Sequence, residues 1–201
     1  MTTHDKVAVI TGGGTGIGKA CALAFVNDGY RVVISGRRAE PLDETIKEAG
    51  VDGSRMIGVP TDVGDPAAVK NLFAKTMAAF GRVDVLFNNA GTNAPGVLFE
   101  ELPWEKWKAV VDANLNGMFL CSQETYKIMK NQTPRDGRII NNGSISAHVP
   151  RPDSAPTPPP NTACRASRAP SRSTAANTTS PAARWTWATP CRRWHRAWPR
   201  A

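Results

Sequence analysis

The last 45 residues, 157–201, contain no Leu, Ile, Val, Met, Phe, Tyr, Gly, Lys, Asp, Glu or Gln. A stretch with no aliphatic side chains and seven prolines has nothing from which to build a core. It also lacks acid: eight Arg stand there with no Asp or Glu. The whole formal charge of +8 therefore lies in that stretch, because residues 1–156 hold 17 basic and 17 acidic side chains. A neutral first part gives no footprint for nucleic acid. Cysteine is sparse, and Cys21, Cys121, Cys164 and Cys191 show no C-x-x-C spacing and no histidine pattern beside them. That argues against a zinc site and a disulfide framework. Cys21 and Cys121 sit in apolar helical runs and read as core thiols. No apolar run approaches the ~20 residues that cross a bilayer, and the polar start MTTHDK does not resemble a signal peptide. A cytoplasmic enzyme or binding protein is the expectation.

What is present in residues 1–156 is an alternation of strand and helix signals. Lys6–Ile10 is a buried-strand pattern closed by a glycine-rich turn. Ile17, Cys21, Ala24 and Phe25 recur at helical spacing, and Gly29 is a natural stop. Strands follow at Arg31–Ser35, Met56–Val59, Val83–Phe87 and Arg138–Asn141. Helices are expected over Pro41–Ala49 and over Pro66–Phe80, the latter with Asp65 as N-cap and Pro66 in its first turn. A long helix opens at Pro103, with Trp104, Trp107, Val111, Leu115, Met118 and Phe119 as its apolar face. Such alternation implies right-handed βαβ units and a parallel sheet. The expected fold class is α/β, a Rossmann-type doubly wound sheet. It would be truncated after its fifth strand, with a domain over 1–156 and an unstructured tail over 157–201.

Two segments carry chemistry. Thr11–Gly18, TGGGTGIG, lies between the first strand and its helix. Glycine there permits a tight bend, close approach of a pyrophosphate and close helix–strand packing. The helix N-terminus offers free N–H groups and the positive end of its dipole to phosphate. The second is Asn88–Gly91, NNAG, directly after the fourth strand, at the sheet edge that would face a cofactor.

The T-G-x-x-x-G-I-G spacing, NNAG, Asp62-Val63 after the third strand and Asn114 in the long helix together resemble the short-chain dehydrogenase/reductase family over residues 5–156. The resemblance implies an NAD(P)-dependent oxidoreductase that moves hydride between an alcohol/carbonyl substrate and nicotinamide. It implies cofactor contacts at Gly12, Thr15, Gly16, Ile17, Gly18, Asp62, Val63, Asn89, Ala90 and Gly91. At the end of the second strand, Ser35-Gly36-Arg37-Arg38 has no acid for the ribose 2′-OH of NAD. Arg37 and Arg38 suit the 2′-phosphate of NADP, so NADP is favoured over NAD. Ser144, after Asn142-Gly143, would orient the substrate oxygen, and Asn114 would support a proton-relay water. The family also implies a homodimer or homotetramer.

The family's acid/base Tyr should stand thirteen residues after Ser144, with a Lys four further on. Thr157 and Asn161 occupy those positions; neither has the required chemistry. Tyr126 and Lys130 share the Y-x-x-x-K spacing but precede Ser144, late in the long helix. Codons for Thr157–Thr162 regroup, after one added T, as Tyr, three small residues or prolines, and then a codon that can be Lys. A frame shift after Pro156 is therefore expected, and with it an inactive, poorly stable chain. The reading from another class is a non-catalytic dinucleotide-binding protein whose Arg/Trp tail holds an acidic partner.

Overall fold

The computed structural model describes residues 6–94, 96–143 and 184–188. Valine and isoleucine dominate the first two strands, β1 (Val7–Thr11) and β2 (Arg31–Gly36), and bury them on both faces. β3 (Met56–Pro60), β4 (Val85–Asn88) and β5 (Arg138–Asn142) complete the five strands the sequence calls for. All pairings are parallel, and the sheet order is β3-β2-β1-β4-β5-β6, the last strand being Arg184–Ala188. Chain order reverses between β1 and β4. A crevice opens at such a switch point, outside the carboxyl ends of the strands.

The pleat divides the core into two. Val7, Val9, Val33, Leu86 and Ile139 meet Leu72 and Phe73 of α3 (Pro66–Phe80) and Cys121 and Met129 of α5 (Gly117–Met129). Ile10, Val32, Ile34 and Phe87 meet Ala22 and Val26 of α1 (Gly16–Asn27) and Leu42 of α2 (Ala39–Ala49). Asp65 caps α3 as expected: its carboxylate accepts the Ala67 N–H at 2.9 Å, with Pro66 in the first turn. α2 begins two residues before the expected Pro41. Its first turn has no intrahelical use for the missing proline N–H.

The long helix expected from Pro103 runs through α4 (Trp104–Val111), a π turn (Asp112–Asn116) and α5, but its expected apolar face is corrected. The wider turn changes the helical phase. The inward residues are Val110, Gly117, Cys121, Ser122, Thr125 and Met129, whereas Trp104 and Phe119 are 66% and 59% exposed. Gly117 shows why small residues face in: a Cβ there would stand 2.6 Å from Val63 Cγ2.

The sheet also does not stop at β5. Residues Arg184–Ala188 form β6, parallel to β5, with Arg138 opposite Arg184 and Asn142 opposite Ala188. Five residues of the segment read as structureless are therefore a strand. An open β5 edge presents unpaired backbone groups, and Trp185-Thr186-Trp187 is a run of strong strand formers.

Candidate functional site

Two clefts that share lining residues lie at the switch point. The larger, about 860 Å³, is lined by Gly12, Gly14 and Thr15 of the glycine turn, Gly36, Arg37 and Arg38 after β2, Thr61 to Asp65 after β3, and residues 90–93 after β4. The smaller, about 280 Å³, is lined by Thr11, Val63, residues 88–93, Asn114, Gly117, Asn142 and Gly143. Most residues expected at the site are thus brought together: Gly12, Thr15, Arg37, Arg38, Asp62, Val63, Asn89, Ala90, Gly91 and Asn114. Gly16, Ile17 and Gly18 line neither cleft, and Ile17 is 54% exposed.

Gly18 acts from beneath. A Cβ at this position would lie 2.0 Å from the Gly12 carbonyl oxygen and 2.6 Å from Asn89 Nδ2. The turn and α1 can approach only because Gly18 has no side chain. Gly12 itself has φ +67°, in the left-handed region where glycine carries no steric cost. α1 opens at Thr15 with no side-chain cap and no acid in its first turn. Its N–H groups and positive dipole end are left for an anion.

The turn is fastened to the end of β4. Thr11 Oγ1 accepts the N–H groups of Asn89 and Ala90, both at 3.0 Å. Asn89 Nδ2 donates to the carbonyls of Thr11 at 3.1 Å and Gly12 at 3.3 Å. Thr11 was not among the expected site residues, although a hydroxyl opening the glycine motif was the available signal. Asn142, Thr92 and Thr61 were likewise unassigned, and nothing in local sequence marks them.

Asn114 sits in the π turn and faces Thr92 with both ends of its amide. Its Oδ1 accepts the Thr92 N–H at 2.8 Å and its Nδ2 donates to the Thr92 carbonyl at 2.9 Å. A Cβ on Gly91 would meet that Oδ1 at 3.1 Å. Asn114 therefore ties the NNAG loop to the helix pair. Asp62 uses Oδ1 to accept the Gly64 N–H at 2.9 Å, which turns the chain after β3. Asp112, on the rim, has its carboxyl held below the ordinary value, first by the Lys108 ammonium that donates to it. Burial pushes the Cys121 thiol up to about 12, so it is an inert core group as the sequence suggests.

Ser144, Thr157 and Asn161 lie outside the described residues, as does most of 157–201. Both tyrosines of the chain are described, and neither lines a cleft. Tyr126 is 45% exposed on α5, and Tyr30 stacks edge-on against Phe25 with ring centroids 5.0 Å apart. Among the described residues, no group of three or more His, Cys, Asp or Glu could hold a metal ion. No described helix is long and apolar enough to cross a membrane.

A parallel doubly wound sheet, a glycine turn and an open helix N-terminus at the switch point define a dinucleotide-binding α/β domain. The sequence model described as short chain dehydrogenase matches residues 6–156, and the chain belongs to the short-chain dehydrogenase/reductase family. It is 39% identical over 141 residues to the (2S)-[(R)-hydroxy(phenyl)methyl]succinyl-CoA dehydrogenase subunit BbsD of Thauera aromatica, covering 70% of this chain and 56% of that one. It is 37% identical over 151 residues to a 3-oxoacyl-[acyl-carrier-protein] reductase of Synechocystis, covering 75% and 60%. The matched region thus spans under two thirds of these curated relatives. The crystal structure of 3-ketoacyl-(acyl-carrier-protein) reductase from Brucella melitensis complexed with NADH superposes with a TM-score of 0.77 at 28% identity, covering 82% of this chain and 68% of that one.

Proposed function

We propose that this chain binds NADP in preference to NAD and supplies the dinucleotide-binding part of an oxidoreductase that interconverts an alcohol and a carbonyl. The observation that carries the reading is the glycine turn held against β4 by Thr11 and Asn89, under an uncapped α1. Gly12, Thr15 and the first N–H groups of α1 would hold the pyrophosphate. Asp62 and Val63 would meet the adenine, and Asn89 to Gly91 the nicotinamide side. Arg37 and Arg38 line the larger cleft beyond β2, where a guanidinium matches a 2′-phosphate. The dinucleotide, when bound, supplies the hydride acceptor or donor. Ser144 would orient the substrate oxygen and Asn114 would support a relay water.

The proton donor is the missing part. With Tyr30 and Tyr126 away from both clefts, the expected place for it is position 157, where this chain has Thr157. We infer that a base was lost near that codon and that the chain as written does not turn over. A homodimer or homotetramer belongs to the in-frame parent, whose assembly helices include the one lost from this chain.

Titration with NADPH and NADH, followed by nicotinamide fluorescence, tests the site. NADPH should bind roughly tenfold tighter, about 1.4 kcal/mol, and Arg37→Ala with Arg38→Ala should bring the two together. Equal affinities in the unmodified chain would remove the NADP assignment. In the same assay a carbonyl substrate panel should consume no NADPH until the reading frame at codon 157 is restored. Turnover by the unmodified chain would refute the missing-donor reading.

A further inference from the structure

Four asparagines stand at the carboxyl ends of β4 and β5, and the pleat sorts them into two pairs. Asn88 lies opposite Asn141 in the parallel register. Its Nδ2 donates to Asn141 Oδ1 at 2.8 Å and to Ser122 Oγ of α5 at 3.0 Å. That pair is buried on the α5 face. The next residue on each strand points the other way, as alternation requires. There Asn142 Nδ2 donates to Asn89 Oδ1 at 3.0 Å. The direction of this bond is fixed by its neighbours. Asn89 spends Nδ2 on the Thr11 and Gly12 carbonyls, so only its Oδ1 remains for Asn142, which must then donate.

We propose that Asn142 is a positioning residue that couples the end of β5 to the dinucleotide turn through Asn89. Asn142 lines the smaller cleft and precedes Ser144 by two residues. One amide therefore reaches from the strand that leads to the substrate-orienting serine to the side chain that holds Gly12. Without the Asn142 donor, Asn89 keeps its two carbonyl contacts but loses the bond that sets the tilt of its amide plane. Gly12 has no other side chain fastening it among the bonds described, and Gly18 leaves no slack beneath it, since even a Cβ there would collide with the Gly12 carbonyl. The α5-face pair acts elsewhere. It touches Ser122 and not the turn, so it serves the packing of α5 on the sheet.

The inference rests on the dinucleotide reading of the site, and the test separates the two. NADPH is titrated against the full chain and its variants, with circular dichroism confirming the fold. Asn142→Leu, similar in size but without a donor, should bind roughly five- to tenfold more weakly, the range of one hydrogen bond. Asn142→Asp keeps the shape and, ionised at pH 8, cannot donate; it should weaken binding at least as much and stands in if the leucine variant does not fold. Asn141→Ala should lower the thermal midpoint yet leave NADPH affinity within about twofold. In an Asn89→Ala background Asn142→Leu should add no further loss, a non-additivity that a merely structural residue would not show. If both Asn142 variants bind NADPH like the unmodified chain, or if the losses add, the coupling is overturned. If the unmodified chain binds no NADPH, the site reading fails and this inference falls with it.

Discussion

The two ends of β4 are fastened by chemically opposite means. At the amino end, Asp84 accepts the Val7 N–H at 2.8 Å, Arg82 Nε at 2.8 Å and Arg82 Nη2 at 2.7 Å. Gln132 completes that end, accepting the Val83 N–H at 3.0 Å and donating to the Val83 carbonyl at 2.9 Å. At the carboxyl end the fastening is neutral: Asn88, Asn89, Asn141 and Asn142, with one threonine and one serine. The difference follows from what each end faces. The buried ion pair at the amino end lines neither cleft and can hold strands β1 and β4 together. A carboxylate at the carboxyl end would oppose a phosphate and cancel the positive end of α1. Amides and hydroxyls fasten that end without a field of the wrong sign.

The sharpest way to break that contrast is at the charged end. Asp84→Ala leaves the Arg82 guanidinium, whose side chain is 11% exposed, without its carboxylate and the Val7 N–H without its acceptor. A buried pair broken on one side costs about 3–5 kcal/mol. Urea unfolding should show that loss, while NADPH affinity of the folded protein stays as it was. A midpoint shift worth under about 1 kcal/mol would mean that the pair behaves as an exposed one.

The complementary change at the neutral end is Gly18→Ala. The added methyl group would sit 2.0 Å from the Gly12 carbonyl oxygen, a backbone atom that cannot swing aside. The turn must lift from α1, and NADPH affinity should fall at least roughly 100-fold, about 2.7 kcal/mol, in calorimetric titration. Near-unmodified affinity would show that the turn has room the geometry denies.

Which of these features the sequence discloses depends on how local their cause is. The Val/Ile runs of β1 and β2, the Asp65-Pro66 start of α3 and the spacing of the glycines each follow from a few neighbouring residues, and they stand where the sequence puts them. The π turn at Asp112–Asn116 is not marked by its neighbours in sequence, and just beyond it Gly117 faces Val63 from a different part of the chain while Phe119 is exposed. β6 was missed because its partner edge is supplied by β5: the Trp185-Thr186-Trp187 run has the propensity for a strand, but nothing local fixes what it pairs with. Thr11 and Asn142 are legible only once β1, β4 and β5 are in register. Of the residues named by motif spacing, Gly12, Thr15, Asn89, Ala90 and Gly91 line the clefts and Gly16, Ile17 and Gly18 do not, while Thr11 and Asn142, defined by contacts across strands, went unassigned in the sequence.

The smallest expected effect lies between the two ends, on the rim of the larger cleft, and it shows how little an exposed charge contributes beside either of them. Asp112 accepts from Lys108 and, at 3.0 Å, from Asn116 Nδ2, and these hold its carboxyl below its ordinary 3.8. A carboxyl depressed in the folded state stabilises that state above its unfolded value. The contribution is lost as pH falls through the folded value. Asp112→Asn should therefore lower the thermal midpoint slightly at pH 6 and not at all once the pH is below the depressed folded value. Because Lys108 is exposed, with 59% of its side-chain surface in solvent, about 0.5 M salt should shrink the pH 6 difference further. A difference that persists at acid pH and in salt would place the role of Asp112 in packing against Gly64, whose Cβ position lies 3.1 Å from the Asp112 Cβ, rather than in its charge.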